Sequence, residues 1–497
     1  MKEESRAPSI SPGEPKLGDR NLGDQIAQSL VLAILYSVPA ILCAYAASVS
    51  DPDIWWHLRS GEWIMQHRAV PHTDPFSSFG AGKSWAAYSW LFEIGVLQLF
   101  QRLGLTGIVV YTTGMVLATT AAMHHLIRRL LADFNLGVLL TFVAMLSMWR
   151  LDSPRPWHFT ILFFILELDI LMHTRRSGAW RELLWLPAIF ALWANLHIQF
   201  VDGLLVLALA AGEAIAGRWG SAARTKLSAV WMSIALVASV LATLCNPYGW
   251  HVYQVAHDLA AQPGVMDHLA ELQAIAFRNA SDYCVLLLAL GAAAMLARSR
   301  TMRVFEIAIF AMAIFLAFRS QRDVWLMAAI GAAIIASGDG TANVQARRTP
   351  VFAWLITAGA ASLMLFAGFR ILHVNNARLA RDLEHDLPVH AVEFVKAGGY
   401  TGPLYNDYVW GGYLMWALRQ PVSIDGRAAL HGDERLTRFG DTWNAAPDWQ
   451  SDAELQHAGL VIGPVKSPLI QVLRMDARYR LTYEDHIAAV FIPAKIR

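Results

Sequence analysis

The first carboxylates after the opening apolar segment are Asp51 and Asp53, in the run Asp51-Pro52-Asp53-Ile54-Trp55-Trp56-His57-Leu58-Arg59-Ser60-Gly61-Glu62-Trp63-Ile64. A charge at that position is costly if drawn into lipid, so its presence calls for a reason. One reason is chemical: a general base or a cation ligand at the membrane surface. The other is structural, since Asp-Pro-Asp before a helix makes a good N-cap and turn. The residue types alone leave both open. In residues 54–67, Ile54, Trp55, Leu58, Trp63 and Ile64 share one side of a helix, and His57, Arg59 and Glu62 fall mainly on another. That pattern predicts an interfacial amphipathic helix with its tryptophans at headgroup level.

Other polar loops add to the inventory. Pro71-His72-Thr73-Asp74-Pro75-Phe76-Ser77 leads to Trp85 and Tyr88-Ser89-Trp90, a long aromatic loop in which Asp74 is a second acid or a turn cap. Arg150, Asp152, Arg155, Trp157 and His158 sit together, and Trp193, Asn195, His197 and Gln199 lie between two apolar stretches. Asn246-Pro247-Tyr248-Gly249 opens a loop that also holds Glu271 and Arg278, and Arg319-Ser320-Gln321-Arg322-Asp323 separates two further apolar runs. The planar fork of arginine suits phosphate oxygens, so Arg319 and Arg322, with Arg150 or Arg155, are candidates to hold a lipid phosphate. Anchoring of helix ends to headgroups, with Asp323 as ion partner, competes with that role. His57, Arg59, Glu62, Asp74, His197, Asn246, Tyr248 and Glu271 are further site candidates.

Towards the C-terminus stand Asn406-Asp407-Tyr408-Val409-Trp410-Gly411-Gly412-Tyr413 and Ile424-Asp425-Gly426-Arg427. The glycine pair permits close backbone approach, and the aromatics could stack on a ligand. Asp407, Trp410, Tyr413, Asp425 and Arg427 are therefore candidate contacts to an acceptor, against a plain strand–turn–helix core with an Asp-Gly turn. Phosphate loops, GxSxG elbows, HExxH motifs and dinucleotide fingerprints are absent. Cys43, Cys245 and Cys284 form no CxxC pair and read as small buried hydrophobes. No cofactor is required by these residues, and a divalent cation is left open without assigned ligands.

The rest of the chain must bring these loops together. Of 497 residues, 56% are hydrophobic and 16% charged, against about a quarter charged in an ordinary soluble domain. The missing charge implies an apolar solvent. The net charge of +1 implies no basic surface for nucleic acid. Roughly 20 apolar residues cross a hydrocarbon core about 30 Å thick. Candidate spans run near 26–48, 106–127, 135–149, 157–173, 182–196, 199–217, 227–245, 282–298, 304–318, 323–338 and 350–370. Several are short, as helices shielded by neighbours can be.

The segment 86–103 is apolar too, and its status decides the topology. Basic groups fall at Arg128–Arg129, Arg175–Arg176 with Arg181, Arg218 to Lys226, Arg298 to Arg303, and Arg347–Arg348. With the N-terminus cytoplasmic and 86–103 interfacial or re-entrant, all of them fall in the cytoplasm, as the positive-inside rule requires. Loops 49–105, 150–156, 246–281 and 319–322 then face outward with the C-terminal tail. The expectation is an all-α polytopic membrane domain over 26–375, with about 11–12 transmembrane helices. Residues 1–25, polar and carrying Pro8, Pro12 and Pro15, predict a disordered cytoplasmic tail rather than a signal peptide. Residues 376–497 predict a small outward α/β domain. Its expected helices lie near 388–397, 410–419 and 465–475. Its expected strands lie near 403–406, 421–425 and 459–463, with a closing pair near 480–493.

The Asp51–Ile64 loop is similar to that of a large group of bacterial membrane proteins related to the GT-C glycosyltransferase superfamily. The Pro71–Ser77 turn, the Trp193–His197 stretch, Asn246-Pro247-Tyr248-Gly249 and the Asn406–Asp425 segment follow in the same order in that group. The resemblance implies a polytopic enzyme of the bacterial inner membrane and cell envelope that uses a polyprenyl-phosphate-linked sugar. Its acceptor would be an extracytoplasmic glycan, lipid or protein. It also implies a catalytic acid in the first outer loop, which falls on Asp51 or Asp53, with Asp53 preferred because it follows the proline at the start of the helix. Tyr408 to Tyr413 with Asp425-Gly426 is loosely similar to the WWDYG region of oligosaccharyltransferase catalytic subunits. It departs at the central residues, so sequon recognition does not follow. Two other functions fit the same chain: a transporter or flippase of a lipid-linked saccharide, and a non-catalytic envelope assembly protein.

Overall fold

Every expected span is a helix in the computed structural model, which describes residues 22–46, 49, 51–217, 228–260, 270–299, 303–338 and 351–494. The basic groups at 218–226, 300–302 and 347–348 lie outside the described residues, as does the expected tail up to residue 21; its last residues belong to the first helix. The helices are Leu22–Ala46, Leu105–Leu130, Phe134–Ser147, Trp157–Ser177, Trp185–Leu196, Phe200–Ala216, Ala229–Thr243, Ala280–Arg298, Val304–Arg319, Val324–Ser337 and Val351–Ile371. Leu22–Ala46, Leu105–Leu130, Trp157–Ser177, Ala280–Arg298 and Val351–Ile371 are long and apolar enough to cross a membrane by themselves. Val324–Ser337, with 14 residues, reaches only about 21 Å. It is apolar all round and almost wholly buried among its neighbours, as a helix without a polar face must be. The chain is thus a polytopic helical membrane protein with a small C-terminal α/β unit.

Helix ends follow from local chemistry. Asn279 and Asp282 form a capping box at the start of Ala280–Arg298. Gly178, with φ 79°, supplies the left-handed residue that stops Trp157–Ser177. At one end of the bundle, buried charges are paired across helices. Arg175 donates to Glu213 and Glu306, Arg303 donates to Ser337 Oγ and the Gly338 carbonyl, and Arg129 meets Asp169 at 2.5 Å. Among the described residues, the basic groups Arg129, Arg175, Arg176 and Arg303 gather there. Asp51 and Arg155 lie at the opposite end.

The apolar segment 86–103 becomes a helix only over Trp90–Leu103, with 14 residues. Its first residue donates from the indole to Asn195 Oδ1 at 2.8 Å, and its last carbonyl accepts from Asn376 Nδ2 at 2.9 Å. Asn195 ends the helix that leads to His197, whose ring meets Thr160 in the first turn of Trp157–Ser177, the helix that follows Arg155. Asn376 follows the end of Val351–Ile371, where Arg378 lies over the Tyr45 ring. Both ends of Trp90–Leu103 therefore lie at the Asp51 end, so this helix turns back instead of crossing.

The C-terminal unit begins with helices Asn376–Asp386 and Val389–Ala397. Its sheet has the order β1-β2-β4-β3, with β1 Leu404–Asn406, β2 Leu460–Pro464, β3 Tyr479–Glu484 and β4 Ala488–Pro493. β1 and β2 pair in parallel, so a crossover must join them, and Gly411–Leu418, Ala428–His431, Asp433–Trp443 and Ala453–Gln456 provide it. β4 runs antiparallel to both β2 and β3. The strand expected near 421–425 is not in this sheet. That segment is stitched instead to the first outer loop, by Val422 N to the Phe76 carbonyl at 3.2 Å and Ser78 N to the Val422 carbonyl at 2.9 Å. The helix expected over 465–475 is shorter, Pro468–Leu473. One apolar core runs without a break from the bundle into Trp410, Tyr413 and Leu414.

This arrangement is checked by cysteine labelling in intact cells. With Cys43, Cys245 and Cys284 changed to serine, Lys83→Cys, Gln101→Cys and Arg480→Cys should all react with an impermeant maleimide from one side. Arg181→Cys should react only after permeabilisation. Lys83 and Arg480 labelling from opposite sides would refute the arrangement.

Candidate functional site

Helix Pro52–His67 starts as its sequence demands, with Pro52 in the first turn and Asp51 as N-cap, Oδ1 accepting from Asp53 N at 3.0 Å. The cap does not exhaust Asp51. Its carboxylate also accepts from Arg155 Nε, at 3.0 Å to Oδ2. Arg155 Nη1 lies 2.8 Å from Asp53 Oδ2 and 3.1 Å from Glu271 Oε2. One guanidinium from the turn before helix Trp157–Ser177 thus binds carboxylates from two separate loops. That turn is held by Tyr111, whose hydroxyl donates to the Arg155 carbonyl at 2.9 Å. Trp157 lies beneath both Arg155 and Arg322, at 4.9 and 5.3 Å from its ring. Arg322 Nη1 reaches Glu271 Oε1 at 3.8 Å.

Burial pushes the Asp53 carboxyl up to about 7, with Arg155 opposing and Asp51 and Glu271 adding to the rise. Burial would lower Arg155, but Asp51, Asp53 and Glu271 raise it, so it stays charged. A carboxyl poised near neutrality is the form a general base needs. Among the described residues, no three His, Cys, Asp or Glu side chains form a metal-holding group. Arg155 occupies the space that Asp51, Asp53 and Glu271 share.

The C-terminal unit roofs the site. Gly426 has no room for a Cβ because the Asp53 carboxylate is there, and Gly412 backs onto the Pro52 carbonyl and Trp56. Burial also pushes the Tyr408 phenol up, with Asp53, Asp425 and Glu271 adding to it and Arg155 opposing. Next to this roof is a buried clasp. Arg427 donates to both Asp425 oxygens at 2.7 Å and to Asp74 Oδ1 at 2.5 Å, over the Trp85 ring. Asp74 in turn caps its own loop through Phe76 N and Ser77 N. Burial would raise Asp425, but Arg427 and then His431 hold it well below the usual carboxylate range.

Several sequence-based expectations change here. Asp425 and Arg427 are spent on this clasp and are fully buried, so they do not face an acceptor. Trp410 donates to the Asp386 carbonyl and Tyr413 packs edge-on to Trp55, so the aromatic run is core instead of an open stacking platform. Asp407 accepts from Val409 N in a turn. Arg150 pairs with Asp282 and Gln321, and is not on the Trp157 floor. Arg319 is exposed at a helix end beside Phe315. Asn246 closes its own turn, and the Tyr248 hydroxyl donates to the Pro71 carbonyl, tying down the first loop. Arg59 and Glu62 pair with each other, and Glu62 also with Arg419.

Helix Pro52–His67 is not an interfacial amphipathic helix either. Ile54, Trp55, Trp56, Leu58 and also His57 are buried between Trp90–Leu103 and Gly411–Leu418. His57 Nδ1 is 3.2 Å from Glu93 Oε1, on the neighbouring helix. Burial, with Arg155 and His197 nearby, lowers His57, and burial raises Glu93 to about 8. Their contact near neutral pH is therefore a neutral hydrogen bond. His197 meets Thr160 Oγ1 at 2.8 Å in the same layer. Glu93 and Gly426 were not singled out from the sequence: Glu93 is one acid within an apolar run, and Gly426 looks like any Asp-Gly turn.

No protein-family model matches the sequence, and no curated protein matches it. Among solved structures the chain is similar to the crystal structure of ArnT from Cupriavidus metallidurans bound to undecaprenyl phosphate. The identity is 14%, the match covers 95% of this chain and 98% of that one, and the TM-score is 0.48.

The clasp generates a stability test. Arg427→Gln leaves two buried carboxylates without their charge partner and should cost about 3–5 kcal/mol. Arg419→Gln removes a half-exposed pair with Glu62 and should cost under about 1 kcal/mol. Both are read from unfolding of the purified protein in detergent. Equal effects would show that the clasp does not hold the unit in place.

Proposed function

We propose that this chain is a GT-C-type membrane glycosyltransferase. It moves a sugar from a polyprenyl-phosphate-linked donor to an extracytoplasmic acceptor at the outer face of the bacterial inner membrane. The observation that carries the reading is Asp53: a buried carboxyl raised to about 7, 2.8 Å from Arg155 and roofed by Gly426 at the end of a membrane bundle. The sequence resemblance of the Asp51–Ile64 loop to GT-C enzymes points to the same residue.

Asp53 takes the proton of the acceptor hydroxyl as its oxygen attacks the anomeric carbon. The bond from that carbon to the phosphate oxygen breaks, the electron pair leaves with the lipid phosphate, and the anomeric centre inverts. The leaving phosphate needs fixed positive charge and no nucleotide-binding fold. Arg155 and Arg322, resting on Trp157, provide that charge. Asp51 orients Arg155 and caps the helix that carries Asp53. Arg155 fills the space that the three carboxylates share, so transfer is expected to persist in EDTA, and loss of transfer would point to a divalent cation.

One observation favours a second function, translocation of a lipid-linked saccharide. Glu167 lies inside helix Trp157–Ser177, fully buried, with neither carboxyl oxygen hydrogen-bonded. Ionisable groups at that depth often mark transport paths.

Purified protein in proteoliposomes with lipid-linked sugars separates the two. For a transferase, Asp53→Asn should lower transfer by about 10²–10⁴-fold and leave lipid translocation unaffected. Wild-type transfer should climb with pH through about 7 as Asp53 loses its proton, and then level off. Transfer by Asp53→Asn within a few-fold of wild type would remove the proposed base.

A further inference from the structure

We infer that the Glu271 carboxylate is a resident counter-ion in the seat of the donor phosphate, and that the phosphate must displace it from Arg155 and Arg322 before transfer begins. This rests on the function proposed above. Two guanidinium groups share one indole floor, and the oxygens between them belong to Glu271, at 3.1 Å from Arg155 and 3.8 Å from Arg322. Planar arginine forks accept carboxylate and phosphate oxygens alike, so a seat that fits one anion fits the other.

Charge counting favours the exchange. Arg155 and Arg322 face Asp51, Asp53 and Glu271, two positive groups against three carboxylates, with Asp53 only partly ionised near neutral pH and Asp323 adding negative charge beside Arg322. A phosphodiester added on top would put a further whole negative charge into a largely buried site that already lacks matching positive charge. A phosphodiester that replaces Glu271 leaves the balance unchanged. Of the three carboxylates, Glu271 is the one able to move. Its side chain is 32% exposed, against 15% for Asp53 and 8% for Asp51, and Asp51 is committed to a helix cap.

The backbone near Glu271 is nevertheless fixed, so the carboxylate returns to the same place. Gln321 N donates to the Gln273 carbonyl at 2.9 Å and Gln321 Nε2 to the Ala274 carbonyl at 3.2 Å. Arg150 holds Gln321 from the other side and also binds Asp282. Arg150 thus acts as a positioning residue for the turn that carries Arg322 and for the strand of chain beside Glu271. Glu271 then acts as a selectivity device. It keeps the two arginines in place while the seat is empty, and it yields only to an anion that satisfies both forks.

The test uses the full chain in detergent with farnesyl phosphate, farnesol and inorganic phosphate as probes, read by calorimetric titration. Glu271→Gln and Glu271→Ala should each bind farnesyl phosphate about tenfold more tightly than wild type, which is about 1.4 kcal/mol. Arg322→Gln should bind it about tenfold more weakly or worse. Farnesol, which lacks the anion, should bind all four proteins equally. Inorganic phosphate gaining as much as farnesyl phosphate in Glu271→Gln would show a free-anion seat, overturning the assignment to a lipid phosphate. Unchanged or weaker farnesyl phosphate binding in both Glu271 variants would overturn the counter-ion role, as would absence of binding to every protein. A tighter Glu271→Gln in a protein that transfers no sugar would leave the seat standing and remove the transferase. An unaltered Glu271→Gln in a protein that needs Asp53 for transfer would do the reverse.

Discussion

A single guanidinium holds the outer end of this molecule together. Arg155 binds Asp51, Asp53 and Glu271, carboxylates from two loops that would otherwise repel one another in a poorly hydrated space. Its own position depends on Tyr111, which fixes its carbonyl, and on Trp157, which supports its plane. Removing Arg155 would strand several buried negative charges at once, and the start of helix Pro52–His67 would lose its anchor to the bundle. The cap, the proposed base and the loop closure are thus one electrostatic problem with one solution.

That solution works only because the chain returns repeatedly to the same end of the bundle. Trp90–Leu103 turns back beside Pro52–His67, and its two ends are pinned by Asn195 and Asn376. Val351–Ile371 then delivers the C-terminal unit to the same place. There Gly411–Leu418 packs on Pro52–His67, while Gly426 fits against Asp53. A side chain at Gly426 would collide with the carboxylate, so the roof is as close as backbone allows. The buried Arg427 clasp to Asp74 fastens this roof to the first outer loop, at the cost of dehydrating three charges that then satisfy each other.

What the sequence discloses follows from the range of the interactions. Spans were legible because solvent is read locally: an apolar run of sufficient length has few alternatives to burial. The Asp51 cap was legible because Asp-Pro-Asp acts on its own helix. The turning back of Trp90–Leu103 could be read indirectly, since with a cytoplasmic N-terminus only that topology puts the basic groups in the cytoplasm. Long-range pairings were not legible. His57 looked solvent-facing on a helical wheel because its partner Glu93 stands on another helix. Val422 looked like a sheet strand because a β-rich tetrad does not reveal that its partner is Phe76 in the first loop. Arg150 and Arg155 were indistinguishable as residue types. Only the fold shows that one is spent on Asp282 and the other faces Asp53. Helices Asn376–Asp386 and Asp433–Trp443 escaped because each commits few apolar residues to the core amid many charges.

The same coupling that stabilises the site also sets its chemistry. Arg155 opposes the rise of the Asp53 carboxyl, while Glu271 promotes it. On the proposed function, a phosphate that takes the place of Glu271 on Arg155 takes over that carboxylate's share of the arginine's positive charge. One anion then replaces another, so the proposed base keeps the same tuning with the donor seated as in the empty site. Arg155 limits the rise of the Asp53 carboxyl, so that part of it is ionised near neutral pH. On the proposed function, the exchange at the anion seat needs no moving part beyond the partly exposed Glu271 side chain.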